Sequence, residues 1–215
     1  MKRWEIASAR RIVLLCEGDT EEHCVKHFLR RLFDNEGLKS VGLHPVNLGG
    51  HLEDVFEYVP RYRRDHRVIG VFTLIDLYGM SRVTHSYQDT LDKKVERVRE
   101  WLRNGVLDVA DDFFHPHVCV HEIEAWFLAE GEALRRRLRA TRLDPLDNAE
   151  ELDFDNPPKN RVTLLFRQHL GRRYEENNDG QPLFKALAHS ALYERCRYYR
   201  EFYDDLLAHA RSDRL

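Results

Sequence analysis

Two stretches leave this chain little choice of fold. RIVLLC (11–16) and VIGVFTLID (68–76) are nearly unbroken apolar runs, and strands without polar alternation are covered on both faces. Such strands need helices above and below them, and the sequence between them supplies helical periodicity. Val25, Phe28, Leu29, Leu32 and Phe33 recur at i, i+3, i+4, i+7 and i+8, one face of a helix. Asp19 with Glu22 three residues later predicts a capping-box-like start, and Gly37 an end. VGLHPVNL (41–48) predicts a weaker second strand. Leu52, Val55, Phe56 and Val59 predict a helix closed by Pro60, and Val95, Val98, Leu102 and Val106 another that ends near Gly105. HVCVH (117–121) reads as a short strand, followed at once by a helix in IEAWFLAE (123–130).

Strands alternating with helices predict an α/β fold with a mostly parallel sheet flanked by helices. Sheets of this kind bind ligands at the carboxyl ends of their strands, where Glu17, Asp76 and Glu122 each stand. Beyond about residue 130 the composition turns to Arg and Asp with few apolar anchors. NPPKNR (156–161) reads as a loop, since two prolines cannot continue a helix, and helices are expected over 161–170, 182–193 and 194–211. The expected organisation is a core over 1–130 and a helical C-terminal extension over 131–215, packed on that core.

With 42% hydrophobic and 33% charged residues, the composition is that of a soluble globular protein and excludes a disordered one. No apolar run approaches the ~18–20 residues that span a bilayer, and MKRWEIASARR has no apolar signal-peptide core; a cytoplasmic location is expected. Four cysteines lie far apart with no C-x-x-C pair, which predicts reduced thiols. A net charge of −3 does not advertise a nucleic-acid partner. The basic clusters RYRRDHR (61–67), RRRLRATR (135–142) and RQHLGRR (167–173) are solvated helix faces or, taken together, a phosphate-binding surface.

Behind the first apolar run comes CEGDTEE (16–22). Glu21 and Glu22 fall in the first turn of the expected helix, where the macrodipole favours anions by roughly 0.3–1 kcal/mol each; this accounts for both without a function. Glu17 precedes the turn. If Glu17, Asp76 and Glu122 converge, carboxylates about 4 Å apart repel by roughly 4 kcal/mol at an effective dielectric near 20. Either a hard cation such as Mg²⁺ neutralises them, or each pairs with an arginine or with water.

Four motifs in order resemble a known family. CEGDTEE after a strand looks like the first Toprim motif, and the strand ending in IDLYG looks like the second. HEIEAWFLA, followed by PPKNR, completes an order that resembles the bacterial DUF4276 family, itself similar to the Toprim domains of the overcoming-lysogenization-defect (OLD) nucleases. The resemblance covers about residues 11–166. It implies a Toprim-like (Rossmann-like) fold and a Mg²⁺- or Mn²⁺-dependent nuclease acting on DNA or RNA in bacterial defence against phage or mobile DNA. An ABC-type ATPase partner in trans is implied as well, since the chain has no Walker motif. Glu17 matches the acid that acts as general acid/base or metal ligand, and Asp76 matches the first metal-binding Asp. Tyr78 stands where the second Asp is usual, so either Glu122 or Glu124 completes the site or the site is degenerate. A strand running through Glu124 puts the two on one face; a helix starting at Glu122 points them about 200° apart, with Glu122 then the candidate. Lys159 and Arg161 match the family's basic loop, Lys159 as the cation facing the developing phosphorane charge and both as nucleic-acid contacts. The competing function is a non-catalytic Toprim-derived module that docks a partner protein or a nucleotide-like ligand.

Other features carry less. His115, His117, Cys119 and His121 suggest zinc, but no second ligand cluster has the usual spacing and strand alternation explains them. His23 and His27 are a helix-surface pair, Gly49-Gly50-His51 is a turn with weak phosphate-binding potential, and Tyr193, Tyr198, Tyr199, Phe202 and Tyr203 are an aromatic stripe expected in a helical core.

Overall fold

The computed structural model describes residues 10–80, 82–84, 89–107, 109–110, 112–147, 149–151 and 156–212. β1 (Arg11–Cys16) leads through Gly18 into a helix of three consecutive parts: α1 (Asp19–Cys24), a π turn over Val25–Leu29 and α2 (Arg30–Asn35). β2 (Gly42–Asn47) follows, then a short 3₁₀ turn and α3 (Val55–Arg63), β3 (Val68–Asp76), α4 (Leu91–Gly105), β4 (Phe114–His115) and β5 (Val118–Cys119). The rest is helical: α5 (Glu124–Glu130), α6 (Glu132–Leu138), α7 (Pro158–Leu170), α8 (Gln181–Ala186), α9 (His189–Arg195) and α10 (Arg197–Ser212).

All strand pairs are parallel. The order is β2-β1-β3-β4, with β5 pairing the carboxyl end of β3. The α/β class with a parallel sheet flanked by helices is therefore the observed one. Side chains alternate across the sheet. Ile12, Leu14, Cys16, Phe72 and Leu74 face a core shared with the first helix and with α5 to α10, while Val13, Leu15, Val71 and Ile75 face α3 and α4. The first core takes in Ile12 and Ala210 alike, so the C-terminal helices complete the layer over one sheet face. Most of the aromatic stripe lies there, with Tyr199 1% and Phe202 2% exposed, while Tyr198 belongs to the core on the other face. All four cysteines are free and buried, and no described helix is long and apolar enough to cross a membrane.

Several local expectations need correction. The first helix is capped by Gly18, whose N–H donates to Glu21 Oε2 at 2.9 Å; Asp19 instead accepts from Asn47 Nδ2 at 2.7 Å. Pro60 lies inside α3, which runs one turn further to Arg63. Burial of Val55 and Val59, with Phe56 packed edge-on to Trp101, offsets the roughly 3 kcal/mol a helix-interior proline costs. The expected strand 117–121 is only Val118–Cys119. Pro116 has no N–H to give, and the Thr73 hydroxyl takes the place of ladder bonds, donating to the His117 carbonyl at 2.7 Å and accepting the His117 N–H at 2.8 Å. The loop at NPPKNR is half right: Pro158 opens α7, the first helical position, where a missing N–H costs nothing. The helix expected over 182–193 is broken at Leu187–Ala188, and α6 gives the cluster 135–142 a helix over its first residues only, ending at Leu138.

Candidate metal centre

Parallel pairing sets the carboxyl ends of β1, β3 and β5 side by side: Cys16 is level with Leu74, and Asp76 with Cys119. Glu17 therefore leaves β1 beside the end of β3, and the Asp76 N–H donates to its Oε2 at 2.9 Å. Gly79 packs against the same carboxylate, so closely that a Cβ there would lie 2.7 Å from Glu17 Oε1.

β5 ends at Cys119 and α5 starts at Glu124, which supersedes both alternatives drawn from the sequence. Between them His121 adopts a left-handed φ of 61°, unusual for a residue with a side chain, and its carbonyl accepts the Tyr78 N–H at 3.0 Å. The chain turns there, so that both acids reach the rim. Glu122, in the turn, accepts the backbone N–H of Lys159 at 2.8 Å at the start of α7. Glu124, the first residue of α5, is 2% exposed.

Electrostatics ties these groups together. Asp76 is raised well above the usual carboxylate range, by burial and then by Glu21, Glu17, Glu124 and Glu122. Burial, then Glu21, pushes Glu124 up to about 8. Burial outweighs two hydrogen bonds to push Glu21 up to about 7, helped by Glu17 and Glu176. Glu17 and Glu122 are raised by burial as well. Among the described residues none of these five acids pairs with an arginine; the cation in their midst is Lys159, raised by Glu176, Glu124 and Glu122 against the opposing pull of burial. The Lys159 ammonium pairs with Glu176, whose other oxygen accepts from the Thr20 hydroxyl at 2.9 Å.

Glu21 and Glu176 were missed in the sequence. The macrodipole explanation holds for Glu22, which is partly exposed and pairs with Lys26, but Glu21 is 4% exposed and interacts with Glu17, Asp76 and Glu124. No local spacing signals this, because Glu17 precedes the extended Gly18 that caps the helix. Glu176 lies 156 residues from Thr20 and has no local signal. Tyr78 is 46% exposed and supplies no carboxylate. Arg161, on α7, makes no ion pair among the described residues, and its Nε is buried without a partner.

The donor set suits a hard cation in chemistry: it is all carboxylate oxygen, and Asp76 Oδ1 is buried without a hydrogen-bond partner, while the buried Glu124 faces the Tyr174 hydroxyl. Its spacing is another matter. Among the described residues no group of three or more His, Cys, Asp or Glu is arranged so as to hold a metal ion.

The other candidates have structural partners. His115 Nδ1 and His117 Nε2 both meet Asp205 Oδ2, at 3.0 and 2.8 Å. The N–H groups of the glycine turn are spent: Gly49 donates to Asn47 Oδ1 at 2.7 Å and Gly50 to the Glu17 carbonyl at 3.0 Å. Many arginines of the basic clusters are paired, Arg137 and Arg172 with the buried Asp179, and Arg67 with Asp65.

A family model described as a domain of unknown function, DUF4276, matches residues 16–207. Among solved structures, the C-terminal region of the Burkholderia pseudomallei OLD protein is 16% identical, with 93% of this chain and 98% of that chain covered and a TM-score of 0.48. The C-terminal region of the Xanthomonas campestris pv. campestris OLD protein, phased with iodine, is 16% identical over 95% of each chain, with a TM-score of 0.44. No curated protein matches.

Proposed function

Since the chain belongs to the DUF4276 family, we propose that it is a divalent-metal-dependent nuclease that hydrolyses phosphodiester bonds in nucleic acid, serving defence against phage or mobile DNA beside an ABC-type ATPase in trans. The motif resemblance supports the reaction class and is the sole support for the biological setting and the ATPase. The observation that carries the site is a cluster of buried carboxylates that no arginine neutralises among the described residues, with Asp76 Oδ1 left without a hydrogen-bond partner and Glu124 facing the Tyr174 hydroxyl. Leaving such groups unpaired is costly.

Glu17, Asp76, Glu122, Glu124 and Glu21 are the residues to hold Mg²⁺ or Mn²⁺. When bound, the ion supplies a polarised water and charge neutralisation at the phosphate. The protein's own part is positioning. The Asp76 N–H orients Glu17, and the start of α7 orients Glu122. Glu17, with its proton affinity raised, takes or gives the proton at the scissile phosphate. Lys159 leaves Glu176 to oppose the charge that develops on the phosphorane, and Arg161 contacts the nucleic-acid backbone.

Hydrolysis of bis(p-nitrophenyl) phosphate, plasmid DNA and RNA with Mg²⁺ or Mn²⁺ tests this reading. Glu17→Gln and Asp76→Asn are each expected to lose activity by about 10²-fold or more. Metal-dependent hydrolysis that survives both changes sinks it. Tyr78 favours a second reading, a non-catalytic module that docks a partner or a nucleotide-like ligand; that reading predicts no hydrolysis and no Mn²⁺-dependent rise in Tm.

A further inference from the structure

The acid rim repels a polyanion, and Lys159 is already engaged by Glu176. One flank of the rim has the opposite character. Cys24, Val25, Phe28 and Leu29 of the first helix turn inward to the core, leaving His23, Lys26, His27 and Arg30 outward. α8 packs on the π turn of that helix and brings the exposed Lys185 beside His27. Arg31 Nη1 donates to the Lys185 carbonyl at 2.7 Å and Nη2 to the Leu187 carbonyl. Carbonyls orient a guanidinium without cancelling its charge, and among the described residues neither Arg31 nor Lys185 has a carboxylate partner. Two acids on this face are paired, Glu22 with Lys26 and Asp34 with Arg30. The rings of His23 and His27 stack, with centroids 5.8 Å apart.

We propose that this face of the first helix, with Lys185 of α8, is a track for the backbone of a single-stranded nucleic acid that leads to the acid rim. His27 lies eight residues from Asp19, where the helix starts directly after Glu17 and Gly18, roughly 12 Å by helical rise, so a strand of a few nucleotides spans this face to the rim. The track is one helix face wide, which suits a single strand, and the partly exposed His27 ring offers a base one stacking face. The potential has the right sign: with Lys26 and Arg30 each paired to an acid, Arg31 and Lys185 remain as cations without a carboxylate partner among the described residues, and unneutralised cations attract phosphate. The track rests on the nuclease reading for what it delivers to the rim, but not for binding itself.

The test measures binding and chemistry separately. Anisotropy of fluorescein-labelled single-stranded DNA and RNA of about 15 nucleotides, in EDTA over a salt series, compares the wild type with Lys185→Glu/His27→Glu, Lys185→Arg and the control Lys93→Glu, exposed on α4 over the other face of the sheet. The double variant is expected to bind about 10-fold or more weakly, with its salt slope lowered by about one to two. Lys185→Arg and the control should bind as wild type does, and the DNA and RNA arms show which sugar is preferred. Hydrolysis of bis(p-nitrophenyl) phosphate, which has no flanking phosphates, should be unchanged in the double variant, as should Tm. Unaltered oligonucleotide affinity in the double variant, an equal loss in the control, or no salt-dependent binding by wild type overturns the track. Failure of wild type to hydrolyse the small diester with Mn²⁺ counts against the nuclease reading alone.

Discussion

The backbone N–H of Asp76 donates to the carboxylate of Glu17 at 2.9 Å, so the last residue of β3 fixes the acid that leaves β1. This bond binds two strand ends into one rim, and Gly79 leaves room for it. The φ of Gly79 is not in the left-handed region, so a side chain there is opposed by space alone.

Gly79→Ala puts a methyl 2.7 Å from Glu17 Oε1 and pushes that carboxylate aside. We expect metal-dependent hydrolysis to fall about 10–100-fold, while stability changes by less than about 1 kcal/mol, because displacement of a positioning group costs more in rate than in folding. Steady-state kinetics beside a urea melt checks both; wild-type kinetics in the variant contradicts the packing.

Glu21 and Glu22 are adjacent in sequence and opposite in role. Glu21→Gln removes a buried charge whose pKa is about 7, so at pH 8 without metal the variant should melt higher than wild type and bind Mn²⁺ about 10-fold more weakly. Glu22→Gln should stay within about 0.5 kcal/mol of wild type. Calorimetry with Mn²⁺ and thermal melts separates the two.

The rim should make the metal-free protein pH-sensitive. Glu21 and Glu124 have folded-state values of about 7 and about 8, above the unfolded value near 4.5; buried Glu150, which accepts from the Tyr198 and Tyr199 N–H groups, adds a carboxyl at about 7, so the reversal by Mn²⁺ is what isolates the rim. The folded chain therefore binds more protons in that window, and stability falls as pH rises from about 5 to 8. A loss of about 1–2 kcal/mol lowers Tm by several degrees at this chain length. Melts in EDTA from pH 5 to 8 should show the decline, and saturating Mn²⁺ should reverse it at pH 8. A flat or rising Tm in EDTA argues against the buried acids.

Lys159→Met removes the cation from among the acids. Hydrolysis should fall about 10²-fold, while Mn²⁺ binds more tightly, since a competing positive charge has gone. Weakened Mn²⁺ binding in this variant would show that Lys159 holds the rim together rather than facing a substrate.

Asp179 is fully buried and accepts from Arg137, Arg172 and the Glu175 N–H. Burial alone raises its pKa, but the bonds from Arg172 and Arg137 prevail and hold it low. Asp179→Ala should cost about 2–3 kcal/mol, discounted for the partial exposure of both arginines, and loosen the turn that carries Glu176 to Lys159.

What could be read directly was whatever rests on local pattern. Unalternated apolar runs gave β1 and β3 and the class of sheet, parallel pairing then put Glu17 and Asp76 at the same rim, and the i, i+3, i+4 spacing gave the first helix and α4. Tertiary structure decided the rest. Glu21 looked like an ordinary helix-start acid because the rotation that turns it to the rim depends on how the helix packs on the sheet. Glu122 and Glu124 both arrive there because His121 takes a left-handed turn, which no periodicity encodes. Glu176 reaches Thr20 from 156 residues away, and Asp179 ties up arginines that read as a basic surface. Hydrophobic period records which side of an element is buried, whereas the meeting of charges depends on contacts between elements, and those exist only once the core has closed.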